Sequence, residues 1–178
     1  HRDHSPAARA IADRTGAELI GNVIKNDGYQ DTSFHNARSV AQNECIETAE
    51  FTIRAVLTPG HVSNHVCYYL EEDQILITGD HIMGGSTVVI VPPAGNMKDY
   101  IESLELLSKY EITLIAPGHG DVIGDPQAEI RHLIAHRLGR EKKVIDALKL
   151  IGPADVAEVV TIVYTDVDES LHTWAAKS

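Results

Sequence analysis

Cysteine is nearly absent from this chain: Cys45 and Cys67 are the only two. They form no CxxC pair and no disulfide framework, so they read as two reduced thiols in a cytoplasmic protein. Basic charge is also scarce, with 15 Lys and Arg against 26 Asp and Glu, a net charge of −11. No basic stretch stands out, which weighs against a grip on a phosphate backbone. Long apolar runs are missing; none approaches the ~18 residues of a membrane span. The opening residues are polar and charged, with no signal-peptide pattern.

What remains is an ordinary globular composition, 43% apolar over 178 residues. That is enough for one domain with a real core, or a domain and a small appendage. Ser5-Pro6 reads as an N-cap followed by a first-turn proline, opening a helix that stops at Thr15-Gly16. "AELIGN" reads as a short strand, and residues 23–49 read as loop. "FTIRAVLT" is a strand, and "HVCYYLEEDQILITGD" is two strands joined by the acidic turn Glu71-Glu72-Asp73. "MKDYIESLELLSKY" has helical spacing at Tyr100, Ile101, Leu104 and Leu107, and "EITLIAPGHG" is another strand. Asp125-Pro126 opens a long helix to about Leu150, in which Gly139 costs ~1 kcal/mol relative to alanine. "GPADVAEVVTIVY" and "DESLHTWAAKS" are further helical segments. The class is α+β or α/β, with a helical tail.

Three strands end alike: "VLTPGH" on His61, "ILITGD" on Asp80 and "LIAPGH" on His119. In each, an apolar run gives way to a glycine, which lets the chain turn sharply and aim the next side chain into a shared cleft. The first residues, "HRDH", add His1, Asp3 and His4. Four imidazoles and two carboxylates suit a pair of divalent ions, with zinc favoured and iron or manganese as alternatives. A carboxylate can bridge two ions, so Asp80 is the natural bridge. Such a pair holds a hydroxide near neutral pH and polarises a substrate oxygen. His35, His132, His136 and His172 read as structural, His65 and His81 as supporting neighbours, and Cys67 as core.

This combination resembles the metallo-β-lactamase superfamily, whose signature is HxHxDH followed by a distant His, a bridging Asp and a final His. "HRDH" matches the last four positions of the first block, and "TPGH", "TGD" and "PGH" match the later ones. The resemblance implies an αββα sandwich. It makes His1 and His61 ligands of a first metal, Asp3, His4 and His119 ligands of a second, and Asp80 the bridge. The signature's first histidine falls two residues before His1, and the strands that precede it in the family are missing here. The expectation is a catalytic domain over 1–124, incomplete at its N-terminus, with the apolar face of its remaining strands exposed. An Asp serving both metals resembles the glyoxalase II, lactonase and nuclease branches rather than true β-lactamases. Residues 125–178 resemble a winged-helix-like tail, incomplete at its C-terminus, which can serve in packing or in forming a homodimer.

The resemblance implies hydrolysis of a small-molecule thioester or related ester by a metal-bridged hydroxide, with Asp80 placing the metals and Asp3 moving a proton. The segment "HIMGGSTVVIVPPAGN", with Ser86 and Thr87, is expected to line the substrate pocket. Two other readings stand beside this one: a metal-dependent single-stranded RNA endonuclease, and an inactive metal-binding module acting through its tail.

Overall fold

The computed structural model of the chain describes residues 1–24, 30–34 and 37–177. His35 lies outside them. Five strands form one sheet in the order β1 (Cys45–Glu47), β2 (Thr52–Leu57), β3 (Val66–Leu70), β4 (Ile75–Gly79) and β5 (Leu114–Pro117). The first three pairings are antiparallel, and β4 pairs with β5 in parallel. It follows that β2, β4 and β5 run the same way, and their C-terminal ends share one edge of the sheet.

Cross-strand register sorts the side chains by face. Arg54, Tyr69, Leu76 and Ile115 align on one face, as do Val56 and Cys67. This face packs against Tyr100, Leu104 and Leu107 of α2 (Met97–Leu107) and Ile130 and Leu133 of α3 (Pro126–Ile151). Each fully buried leucine here contributes roughly 1.5–3 kcal/mol. On the opposite face Ile53, Leu57, Val66, Tyr68, Leu70, Ile75, Leu114 and Ala116 are only half-buried, and Ile77 is 46% exposed. Among the described residues one face of the sheet is packed against α2 and α3, while the second face is largely apolar and only partly covered. The architecture is α+β.

Local sequence explains most of the elements. Asn96 caps α2 by accepting from the amides of Lys98 and Asp99, and Asp125 caps α3 through the Ala128 amide. Beyond α3 come α4 (Val156–Val163), opened by an Asp155/Glu158 capping box, a 3-10 turn at Glu169–Leu171 and α5 (His172–Ala175). The stretch "DESLHTWAAKS" therefore makes a turn and a four-residue helix rather than one continuous segment. Gly139 stands in the middle of α3 with nothing within 4 Å of an added Cβ. Gly139→Ala is expected to raise stability by about 0.5–1 kcal/mol, read as a higher denaturant midpoint at unchanged slope.

Three local expectations are corrected. "AELIGN" is not a strand: only Ile20 bridges Arg38, because one pair of backbone bonds closes there and the chain turns away at Gly21. The stretch 23–49 is not all loop, since it carries the 3-10 turn Thr32–Phe34 and the edge strand β1. Ser5 precedes α1 (Pro6–Thr15) as expected but does not cap it. Its hydroxyl instead donates to Asp31 at 2.7 Å, tying the chain's first turn to a distant loop. No helix among the described residues is long and apolar enough to cross a membrane.

Candidate metal centre

The shared edge of β2, β4 and β5 gathers His61, Asp80 and His119. The N-terminal turn brings His1, Asp3 and His4 onto them. The ligand-capable atoms of Asp3, His4, Asp80 and His119 all lie within 4.8 Å of one another, and so do those of His1, His61 and Asp80. Asp80 belongs to both groups. Its carboxylate sits 3.0 Å from His4 Nε2, 3.7 Å from His119 Nε2 and 3.8 Å from His61 Nε2. The Asp80 side chain is 12% exposed, while those of Asp3 and His119 are 59% and 48% exposed, so Asp80 lies deep and the group with Asp3 and His119 opens outward.

The α2 helix sets the position of His61. Ser103 donates to the Pro59 carbonyl at 2.7 Å, and the Asn96 amide donates to the Gly60 carbonyl at 2.8 Å. Gly60 has φ +149°, and a Cβ there would sit 2.4 Å from Tyr100 Cα. Gly118 is required for a different reason: its φ is ordinary, but a Cβ would meet the His4 ring at 2.8 Å. The strand-end glycines thus serve close approach as well as turning.

The His61 ring is oriented by the main chain. Its Nδ1 lies 2.8 Å from the Val89 carbonyl. A carbonyl can only accept, so Nδ1 carries a proton, and the neutral ring then has its Nε2 lone pair toward Asp80. Nε2 of His61 and Oδ1 of Asp80 are both buried and without a hydrogen-bond partner. Asp3 and His119 are 3.3 Å apart. Burial pushes the Asp3 carboxyl up, but its backbone hydrogen bond and the neighbouring His4 and His119 outweigh this and hold it below the ordinary range.

The flanking histidines lie underneath. His65 meets the Thr58 hydroxyl at 2.8 Å, and burial, reinforced by His61, drives its pKa down to about 3. His81 is fully buried, with its pKa well below the usual value for the same reason. Cys67 is a buried core thiol whose pKa burial raises to about 12. Ser86 and Thr87 are exposed, and the cavity of about 260 Å³ that His1, His4, His61 and Asp80 help to line is completed by other residues, among them Asn64 and Tyr68. The segment after Asp80 instead places Ile82, Val88 and Ile90 in the core and presents the Val89 carbonyl to His61.

A helix-backed mixed sheet with histidines and aspartates gathered at its strand ends defines an α+β protein with a candidate metal site. Residues 1–119 match the Metallo-beta-lactamase superfamily, and the chain belongs to that family. It is 32% identical over 150 residues to thioesterase pkgB of Emericella nidulans, covering 84% of this chain and 41% of that protein. It is 27% identical over 186 residues to the atrochrysone carboxyl ACP thioesterase nsrC of Aspergillus novofumigatus, covering 98% of this chain and 55% of that protein. The chain thus spans about half the length of these curated relatives. The metallo-beta-lactamase family protein TTHA1429 from Thermus thermophilus shares the fold, with TM-score 0.68 and 20% identity over 97% of this chain and 56% of that one.

Proposed function

We propose that this chain forms the metal-binding catalytic part of a hydrolase that cleaves a thioester or related carboxylic ester. His1 and His61 hold one divalent cation, Asp3, His4 and His119 hold a second, and Asp80 serves both. The observation that carries this reading is Asp80, its side chain only 12% exposed and shared by both groups of ligand-capable atoms. The unpartnered His61 Nε2 and Asp80 Oδ1 fit it too, since a buried polar atom without a partner costs free energy that a cation would remove. Imidazole and carboxylate donors suit zinc, and also iron or manganese.

Bound cations of this kind supply a water ionised near neutral pH and an electrophile for a carbonyl oxygen. The chain's own groups do the rest. Val89 fixes the tautomer of His61, and Asp80 holds the two halves of the site at one spacing. Asp3, at the open rim, accepts a proton and passes it to solvent or His119. A carboxyl whose pKa is held below the usual range stays ionised near neutral pH and has no proton of its own to give a leaving group. That favours a thiolate, which departs unprotonated, over an alkoxide, which needs a proton. The thioesterase names of the relatives support the same choice.

Metal-loaded protein is expected to release thiol from an acyl-coenzyme A panel and to leave a labelled single-stranded RNA intact. RNA cleavage without thiol release would transfer the reading to phosphodiester chemistry. Full metal occupancy with neither activity would make the site a binding module.

A further inference from the structure

We propose that Arg137, on the helix behind the sheet, is a positioning residue for the metal centre, because it holds both the segment that orients His61 and the ring that supports Asp80. This rests on the reading of the site given above.

Arg137 lies on α3 and coordinates nothing itself. Its guanidinium donates to the Val88 carbonyl. The next carbonyl along, that of Val89, is the one that accepts from His61 Nδ1. The two carbonyls are separated only by the φ and ψ of Val89, so anchoring the first narrows the orientations open to the second, the acceptor on which the His61 tautomer depends. Val88 and Ile90 are buried on either side, so the segment is pinned by packing as well.

The same guanidinium lies over the Tyr100 ring, 5.4 Å from its centroid. The Tyr100 hydroxyl donates to the His81 carbonyl at 3.0 Å, and His81 follows Asp80 directly. The Tyr100 backbone is also the surface against which Gly60 turns, one residue before His61. A single planar cation therefore reaches both ligand-bearing arms, through Val88 to His61 and through Tyr100 to Asp80. Only arginine combines a directed donor with a face that stacks on an aromatic ring.

Stability alone is a poor explanation of this residue. Its Nε is buried without a partner, and a buried donor left unsatisfied subtracts from whatever its other contacts contribute. Arg140, one turn further along α3, provides the contrast. It pairs with Asp166 through two bonds of 2.9 and 3.1 Å, donates to the Val163 carbonyl and stacks on Tyr164, all on the side of α4.

The test is metal affinity, measured on chelator-stripped protein by competition with a chromophoric chelator using zinc, alongside thermal unfolding. Arg137→Met is expected to stay folded and to bind zinc about 10–100-fold more weakly, the usual effect of losing an outer-sphere partner. Arg140→Met is expected to lower the unfolding temperature and leave zinc affinity within about twofold. Arg137→Lys keeps the charge but cannot both bond Val88 and stack on Tyr100, so about a tenfold loss is expected; it decides the matter if the Met variant does not fold. Parent-like affinity in the folded Arg137 variant, or an equal loss in Arg140→Met, overturns the inference. A parent chain that takes up no zinc overturns the site reading first and this inference with it.

Discussion

Asp80→Ala is expected to lose both cations and to reduce thioester turnover by more than about 100-fold. Removing an outer-sphere partner of a metal ligand already costs 10–100-fold, and Asp80 is shared by both groups of ligand-capable atoms. Its loss leaves the buried His61 Nε2 facing nothing on one side, and His4 without its 3.0 Å partner on the other. His119→Ala is expected to behave differently. His119 belongs to the group with Asp3 and His4 and not to the group with His1 and His61. That variant should keep roughly one ion per chain while also losing most turnover. Elemental analysis paired with a thiol-release assay separates the two results. Asp80→Ala protein with full metal content and unchanged turnover would falsify the assignment of Asp80 as the bridge.

Gly60→Ala is expected to cost about 2–6 kcal/mol. Two penalties add. A φ of +149° lies where an L side chain is strained, at about 1–3 kcal/mol. The new Cβ would sit 2.4 Å from Tyr100 Cα and 2.8 Å from its amide nitrogen, and overpacking against rigid backbone typically costs about 1–3 kcal/mol more. Gly16, at the C-cap of α1 with φ +74°, is the control: nothing lies within 4 Å of its added Cβ, so Gly16→Ala carries only the backbone penalty. Denaturant unfolding of the two variants measures the difference. Because Gly60 leads directly into His61, its variant should also bind metal more weakly than the loss of stability alone requires. Equal stability losses in the two variants would mean that the Tyr100 backbone yields easily.

The strands that carry His61, Asp80 and His119 were legible because each is an apolar run with an abrupt end, a pattern that a sheet buried on one face imposes locally. The edge strand β1 was not legible. It has three residues, no apolar run and one partner, so little in its own composition distinguishes it from loop. "AELIGN" erred in the other direction, having the composition of a strand but no neighbour along which to extend. Ser5 has the residue type of an N-cap, yet its hydroxyl found a stronger acceptor in Asp31, which is far away in sequence. The role given to Ser86 and Thr87 rested on their nearness to Asp80 in sequence, whereas the chain at that point turns its apolar residues into the core.

The supporting groups of the site were hidden for a more basic reason. His61 is oriented by the Val89 carbonyl, and its loop is held through the carbonyls of Pro59 and Gly60. Main-chain oxygens are the same at every position, so no residue type announces them. Arg137 reads in sequence as one polar residue on an amphipathic helix, and its contacts with Val88 and Tyr100 emerge only once α3 lies across the sheet.

By itself the sequence supplied the six candidate donors and the local elements that bear them: four histidines and two aspartates, three of them placed where apolar runs break at glycine. Those are short-range properties, settled by propensity, periodicity and residue chemistry. Only the tertiary structure decided that β2, β4 and β5 point the same way, and that the first turn folds back across 76 residues to Asp80 and 116 to His119. Strand order and chain return depend on which distant apolar faces bury one another, a long-range sum that no local window contains.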